Sequence, residues 1–281
     1  MLTIEVVSEA SDTNTSSELM NKLKFFFHKS IFLNKLISLI SFYAEHVDYL
    51  RRSFPKRVSV KDLTNVKSSG TLFILGSGES INNLSADDWG EINQHDSMAL
   101  NRWYKSNFVP TIWMWEPPKD EMVRENDFSE MMHLLDNKHC FKILKNWHHL
   151  YSFYPPKRAK NIALKFDAVV MTRRTHIYSP HQMQQLKKYV KSHYFHFYRG
   201  SLFLAICMAR LAGYKKVILC GVDFGGGYFW LQKNEEEGII HNTAKAKNGV
   251  SMKHALFGLK SILSEEGVEL ETHATCKFNL N

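Results

Sequence analysis

Thr71–Ser80 reads TLFILGSGES: a short apolar run, then two glycines bracketing a serine, then an acid and a second serine. An apolar run this short, closed by glycine, is the pattern of a strand covered on both faces, as in a parallel sheet between helices. Gly76 and Gly78 then fall at the strand's carboxyl end, where open α/β sheets bind ligands. A purely structural turn and a nucleotide-contacting turn both fit the glycine pair. The third glycine of the dinucleotide fingerprint is missing, and Asn101 stands near the position where that fingerprint carries an acid, so NAD is disfavoured.

The same rhythm continues outward. SMAL (97–100), TIWMW (111–115), FKIL (141–144) and VILCGVD (217–223) are apolar strand candidates, and VELETHAT (268–275) follows a helical stretch near 250–265. SLFLAICMARLAGY reads as a helix ending at Gly213 that feeds the strand VILCGVD. Alternating strands and helices predict an α/β fold, with a Rossmann-like, mostly parallel sheet flanked by helices. No internal repeat is visible. Residues 68–281 form one expected domain. The aperiodic stretch 224–247, with its GGG, is expected to be a lid.

Residues 1–67 are expected to be separate, a polar tail followed by an amphipathic helical extension. Within residues 20–57, Phe25, Phe26, Ile31, Phe32, Leu36, Ile37, Ile40 and Tyr43 recur at helical spacing, broken by Lys29, Lys35 and serines. The lysines argue against a membrane span. Two readings stay open: a helix packed on the domain, or an interfacial helix on an anionic membrane, helped by Arg51, Arg52, Lys56 and Arg57. The N-terminus carries acidic and polar residues where a secretory signal would be basic and then apolar. The expected location is cytoplasmic, with the inner membrane's cytoplasmic face as a peripheral site. A homo-oligomer is left open.

The 281-residue chain has a net charge of +8, which favours anionic partners. It has no zinc-finger spacing, no RNP-type motif and no basic region followed by heptads, so nucleic acid is not an expected partner. The four cysteines, Cys140, Cys207, Cys220 and Cys276, form no CxxC pair and read as thiols of a reducing compartment. His193 with His196, and His148 with His149, lack a third ligand at metal spacing. No metal or other cofactor is expected.

Four strand candidates end in polar residues: the GSG turn, Asn101, Glu116 and Asp223. In a parallel sheet such ends converge on one crevice, which makes Asn101 and Asp223 candidate ligand contacts. There is no DxD pair to hold a divalent metal, so a departing phosphate would need hydrogen-bond donors or cations. Arg102, Tyr198, Arg199, Tyr228 and Lys245 are the candidates.

The order GxGxS after the first strand, a strand ending in Asn, an aromatic strand running into acid-Pro, a Gly-Ser helix start, then GYKxxxLxGxDF and a lid histidine resembles the bacterial CMP-sialic-acid sialyltransferases that modify lipooligosaccharide. The likeness spans roughly residues 70–278. It implies a GT-A-type Rossmann-like domain with a small lid, and inverting, metal-independent transfer from a CMP-sugar donor to a glycan or glycolipid acceptor. It implies that Gly76, Ser77, Gly78, Ser80 and Asn101 lie along CMP, with Gly200 and Ser201 near the cytidine. Asp223 and Phe224 would close the same pocket, with Tyr228 as a partial match to the lid tyrosines that receive the phosphate, and His241 would be the base. The chain departs from the pattern at Ser77 and Glu116, where the family has asparagine. Glu116 beside a carboxylated sugar would be electrostatically awkward, which admits donors such as Kdo or legionaminic acid.

The expected function is an inverting glycosyltransferase moving an acidic sugar from a CMP donor to a cell-surface glycan, as in lipopolysaccharide biosynthesis. The alternatives are a nucleotide-dependent phosphotransferase, for which no GxxxxGK[ST] loop is present, and a non-catalytic membrane-associated scaffold.

Overall fold

The computed structural model describes residues 56–117, 128–174, 195–197, 200–225, 227–231 and 251–280, with isolated positions 36, 39, 40, 43, 44, 47 and 187. Seven strands form one sheet: β1 (Thr71–Leu75), β2 (Asp96–Leu100), β3 (Ile112–Trp115), β4 (Phe141–Lys145), β5 (Ala168–Val170), β8 (Lys216–Cys220) and β9 (Glu269–Thr272). Two further strands, β6 (Arg173–Arg174) and β7 (His196–Phe197), pair only with each other. The order is β5-β4-β3-β2-β1-β8-β9, and every pairing is parallel. The α/β, parallel-sheet expectation therefore holds.

Side chains alternate across β1. Leu72 and Ile74 enter one core with α1 (Val60–Val66), α6 (Ser201–Leu211) and α7 (Met252–Ser264). Phe73 and Leu75 enter the other with α2 (Ala86–Gln94), α3 (Met132–Leu135), α4 (His148–Phe153) and α5 (Pro156–Ala163). Such two-faced burial explains why the strands read as apolar runs rather than alternating ones. Helix α6 is buried at every position from Ser201 to Ala209 except Leu202, and ends at Leu211 with Ala212 as its cap, followed by Gly213, whose φ of +80° suits the turn out of the helix.

The division expected at residue 67 falls inside packed structure. Val58 donates to Val169 and Val169 to Lys56, which extends the sheet past β5. Leu63 on α1 is 1% exposed in the same core as α6. Ser59 and Asp62 fix the start of α1 by a capping box, each side chain accepting the other's backbone N–H. The amphipathic segment before residue 56 and most of the expected lid lie outside the described residues.

At the amino-terminal end of the sheet, Asp96 is 1% exposed and accepts from Ser68 N and Oγ, Ser69 N and the Tyr214 hydroxyl. Burial, then the Asp96 charge and hydrogen bond, push the Tyr214 phenol pKa up. This acid ties elements together at the edge opposite the ligand-binding end, which is a structural role. The thiols are likewise quiet: burial raises Cys140 and Cys207 to about 12.

Candidate functional site

The chain runs β1 through β5 to one side of the sheet and returns through β8 and β9 to the other, so the strand order reverses between β1 and β8. Ligands of open α/β sheets bind outside the carboxyl ends at such a point. Two polar groupings stand along that edge.

The first joins the turns after β1 and β8. Gly76 N donates to Cys220 O at 2.7 Å and Gly78 N to Gly221 O at 2.8 Å. A Cβ on Gly76 would sit 2.5 Å from Gly221 O, and one on Gly78 would sit 2.3 Å from Asp223 Oδ2. The close approach of two backbones therefore suffices to require glycine at both positions. Glu79 N donates to Gly227 O, while Ser80 N and Oγ both bond the Asp223 carboxylate. Four amides that a phosphate cradle would need are thus already engaged. Ser77 is different: neither its N–H nor its hydroxyl has a partner among the described residues, and its carbonyl accepts from Phe229 N.

Asp223 also accepts from Lys277 N at 3.1 Å, so its carboxylate is a strut between three segments. Phe224 turns away at φ 51°, with its ring 4.9 Å from Phe278 against the core. Tyr228 bridges Gly78 through the backbone and stacks on Trp230 at 4.4 Å, which seats the first residues of the expected lid over the β1 turn. Burial raises the Tyr228 phenol, and the Arg102 charge partly offsets this.

The second grouping gathers the ends of β2, β3 and β4 at the start of α6. Lys145, the last residue of β4, has no exposed side-chain surface and donates to Glu116 Oε2 at 2.6 Å and Ser201 Oγ at 3.1 Å. Asn146 Nδ2 donates to the other Glu116 oxygen at 2.5 Å. The Lys145 ammonium can only donate, so Ser201 accepts from it and directs its one proton toward Asn101 Oδ1 or Glu116 Oε2, each at 3.2 Å. Burial pushes the Glu116 pKa up, but the Lys145 charge and three hydrogen bonds outweigh it and hold the carboxyl below its ordinary value.

Asn101 and Asn146 are pinned at φ 54° and 50°, and with Phe224 they are the non-glycine residues of positive φ among the described residues. All three follow carboxyl ends of strands. Backbone in sparsely populated regions gathers where side chains must be aimed, and here it marks one edge of the sheet. Gly200 adopts an extended φ of 164°, and a Cβ there meets only Met252 Cε at 3.6 Å, so neither space nor backbone demands glycine.

The structure therefore brings Asn101, Glu116 and Ser201 together, and separately Gly76, Gly78, Ser80 and Asp223. Strands lie about 4.8 Å apart, so β8 and β4 are separated by four spacings, roughly 19 Å, along one crevice edge. His241, Tyr198, Arg199 and Lys245 lie outside the described residues. Sequence reasoning missed Lys145 and Asn146, although FKILKN shows the same signal of an apolar strand ending in polar residues. Among the described residues no group of three or more His, Cys, Asp or Glu side chains is placed to hold a metal ion. No helix among them is long and apolar enough to cross a membrane.

The chain matches no family profile and no curated protein. Solved structures similar to it include the sialyltransferase CST-II in complex with a trisaccharide acceptor and CMP, at 20% identity and a TM-score of 0.42, covering 75% of this chain and 82% of that one. The monofunctional alpha-2,3-sialyltransferase Cst-I from Campylobacter jejuni is similar at 16% identity and 0.43, covering 75% and 77%. CstII from Campylobacter jejuni with the substrate analogue CMP-3FNeuAc stands at 17% identity and 0.42, covering 75% and 82%. Identities and TM-scores this low assign no role to any residue of this chain.

Proposed function

We propose that the chain is an inverting glycosyltransferase that moves an acidic sugar (sialic acid, Kdo or a related nonulosonic acid) from a CMP donor to a cell-surface glycan, without a metal. The observation that carries this reading is the Asn101–Ser201–Glu116–Lys145 network at the carboxyl ends of β2, β3 and β4. It offers polar, hydroxyl-binding chemistry at the carboxyl edge of the sheet, and two of its members, Asn101 and Ser201, are residues through which the sequence resembles the CMP-sugar enzymes. Half-buried Ser77, with Tyr228 bridged to the next residue, Gly78, supplies donors for the departing phosphate, and Arg102 is a further candidate. His241 in the lid is the proposed base for the acceptor hydroxyl.

The engaged amides of Gly76, Gly78, Glu79 and Ser80 count against a phosphotransferase built on that turn. The test is incubation with a panel of CMP sugars, with and without oligosaccharide acceptors, following CMP release. Release from one donor, raised by an acceptor, is the expected result. Thermal protection by ATP with magnesium and none by CMP would favour phosphotransfer instead, and protection by no nucleotide a scaffold.

A further inference from the structure

The buried Lys145–Glu116 pair is asymmetric. The lysine is sealed, with 0% side-chain exposure, while the Glu116 side chain keeps 29% of its surface open. Three donors from β4, its following turn and α6 reach the two Glu116 oxygens, which leaves acceptor capacity on the open side. A ligand carboxylate or phosphate brought there would meet a like charge, and the balancing ammonium lies behind, out of its reach. A neutral hydroxyl would meet a fixed, charged acceptor, the stronger kind of hydrogen bond.

We propose that Lys145 is a positioning residue that holds the Glu116 carboxylate as a fixed, charge-balanced acceptor, so that this end of the crevice selects a hydroxyl-bearing, uncharged part of the ligand and turns its anionic groups elsewhere. The inference rests on the nucleotide-sugar reading above and adds which part of the donor faces β3 and β4. Two sources carry that chemistry, the ribose of the nucleotide and the transferred sugar.

Lys145 sets the state of Glu116 through both charge and geometry. Without the cation, the Asn146 and Ser201 hydrogen bonds alone oppose burial, so the carboxyl takes up a proton more readily than in the wild type. Glu116 is the acid on the network; Asn101, Asn146 and Ser201 do not titrate, and Lys145 is its cationic neighbour there.

The experiment is calorimetric titration of the full chain with CMP, 2′,3′-dideoxy-CMP and CMP-N-acetylneuraminic acid, from pH 5 to 8. Four proteins are compared: wild type, Glu116→Gln, Lys145→Met and the double variant, which removes both charges and so leaves neither one buried alone. The CMP phosphate itself titrates at about pH 6, so affinities are read as ratios to wild type at each pH; Glu116→Gln is expected to weaken binding by about 10-fold or more, as for a lost hydrogen bond to a charged group. Lys145→Met should match Glu116→Gln at pH 5 and recover toward wild type as pH rises. The double variant should stay weak relative to wild type at every pH; the pH-dependent recovery of Lys145→Met is the result that a merely structural role for Lys145 does not predict.

A loss seen on CMP but not on its dideoxy analogue assigns the hydroxyls to the ribose. A loss seen only on the CMP sugar assigns them to the sugar. If wild type binds these ligands and Glu116→Gln stays within twofold for all of them, or if Lys145→Met keeps the wild-type pH profile, the proposal is overturned while the glycosyltransferase reading stands. If Lys145→Met does not fold, a double variant that binds like wild type overturns it equally. Wild type that binds none of them removes both.

Discussion

Ser80 Oγ lies 2.6 Å from Asp223 Oδ1, a contact that closes 143 positions of chain and clamps the turn after β1 to the turn after β8. The same carboxylate accepts Ser80 N at 2.9 Å, so one acid holds the mouth of the crevice in register. Hydrogen bonds to a charged group contribute about 1.5–3 kcal/mol each. Ser80→Ala removes one and should lower stability by about that amount in urea unfolding, with CMP affinity reduced because the β1 turn loosens. An unchanged midpoint in urea would show that the clamp is held by the backbone contacts alone.

Gly78→Ala should be far worse than its size suggests. The added methyl would overlap Asp223 Oδ2 at 2.3 Å and Gly221 O at 2.7 Å, and neither the clamp nor the backbone can recede cheaply. Gly70 precedes the same strand with nothing within 4 Å, which makes Gly70→Ala the control. The expected outcome is a shift of less than about 1 kcal/mol at Gly70, against a loss of several at Gly78. Equal effects at both positions would refute the close-approach account.

These contacts show what the sequence conveys and what it withholds. Six of the seven strands were legible, the central ones because burial on both faces writes each as an apolar run. β5 was not, because an edge strand of three residues, AVV, is too short to have a pattern. Asn101, Glu116 and Asp223 were legible as polar ends of apolar strands. Asp223 and Glu116 nonetheless differ in kind, one a strut and one a partly open acceptor, and only through-space partners separate them. Lys145 was passed over because a strand-end lysine ordinarily reads as solvated. Its full burial comes from Glu116 and Ser201, 29 and 56 positions away. On the amino-terminal side of the boundary expected at residue 67, Lys56–Val58 pair with β5, a pairing with no local signature.

Glu116 should show itself in the acid limb of stability. Its folded-state pKa lies below the ordinary value of 4.5, so its stabilising contribution is fully present above that value and is lost as pH falls through the folded pKa. In Glu116→Gln that loss is absent, and Lys145 is left without its counter-charge at every pH. The melting temperatures of the two proteins should therefore be well separated at pH 7 and converge below about pH 4.5. Asp62, Asp88 and Glu271 are also held below their ordinary values, but they act alike in both proteins and cancel in the difference. A separation that stays constant down to pH 3 would mean that the Glu116 carboxyl is not held ionised by the pair.

His241 carries the catalytic part of the proposed function. An acceptor hydroxyl attacks poorly unless a positioned base removes its proton as the bond forms, and imidazole suits that task near neutral pH. Placement in a lid seated over the β1 turn by Tyr228 would bring the base in only when donor is bound, which limits hydrolysis by water. The network around Glu116 contributes binding, so loss of the base should separate from loss of affinity. His241→Ala is expected to lower kcat by about 10²–10⁴ with CMP affinity within a factor of about two, read by steady-state CMP release at saturating donor and acceptor and by calorimetry. Turnover above about a tenth of wild type would be too much for a protein lacking its general base and would return the role to another residue of the crevice.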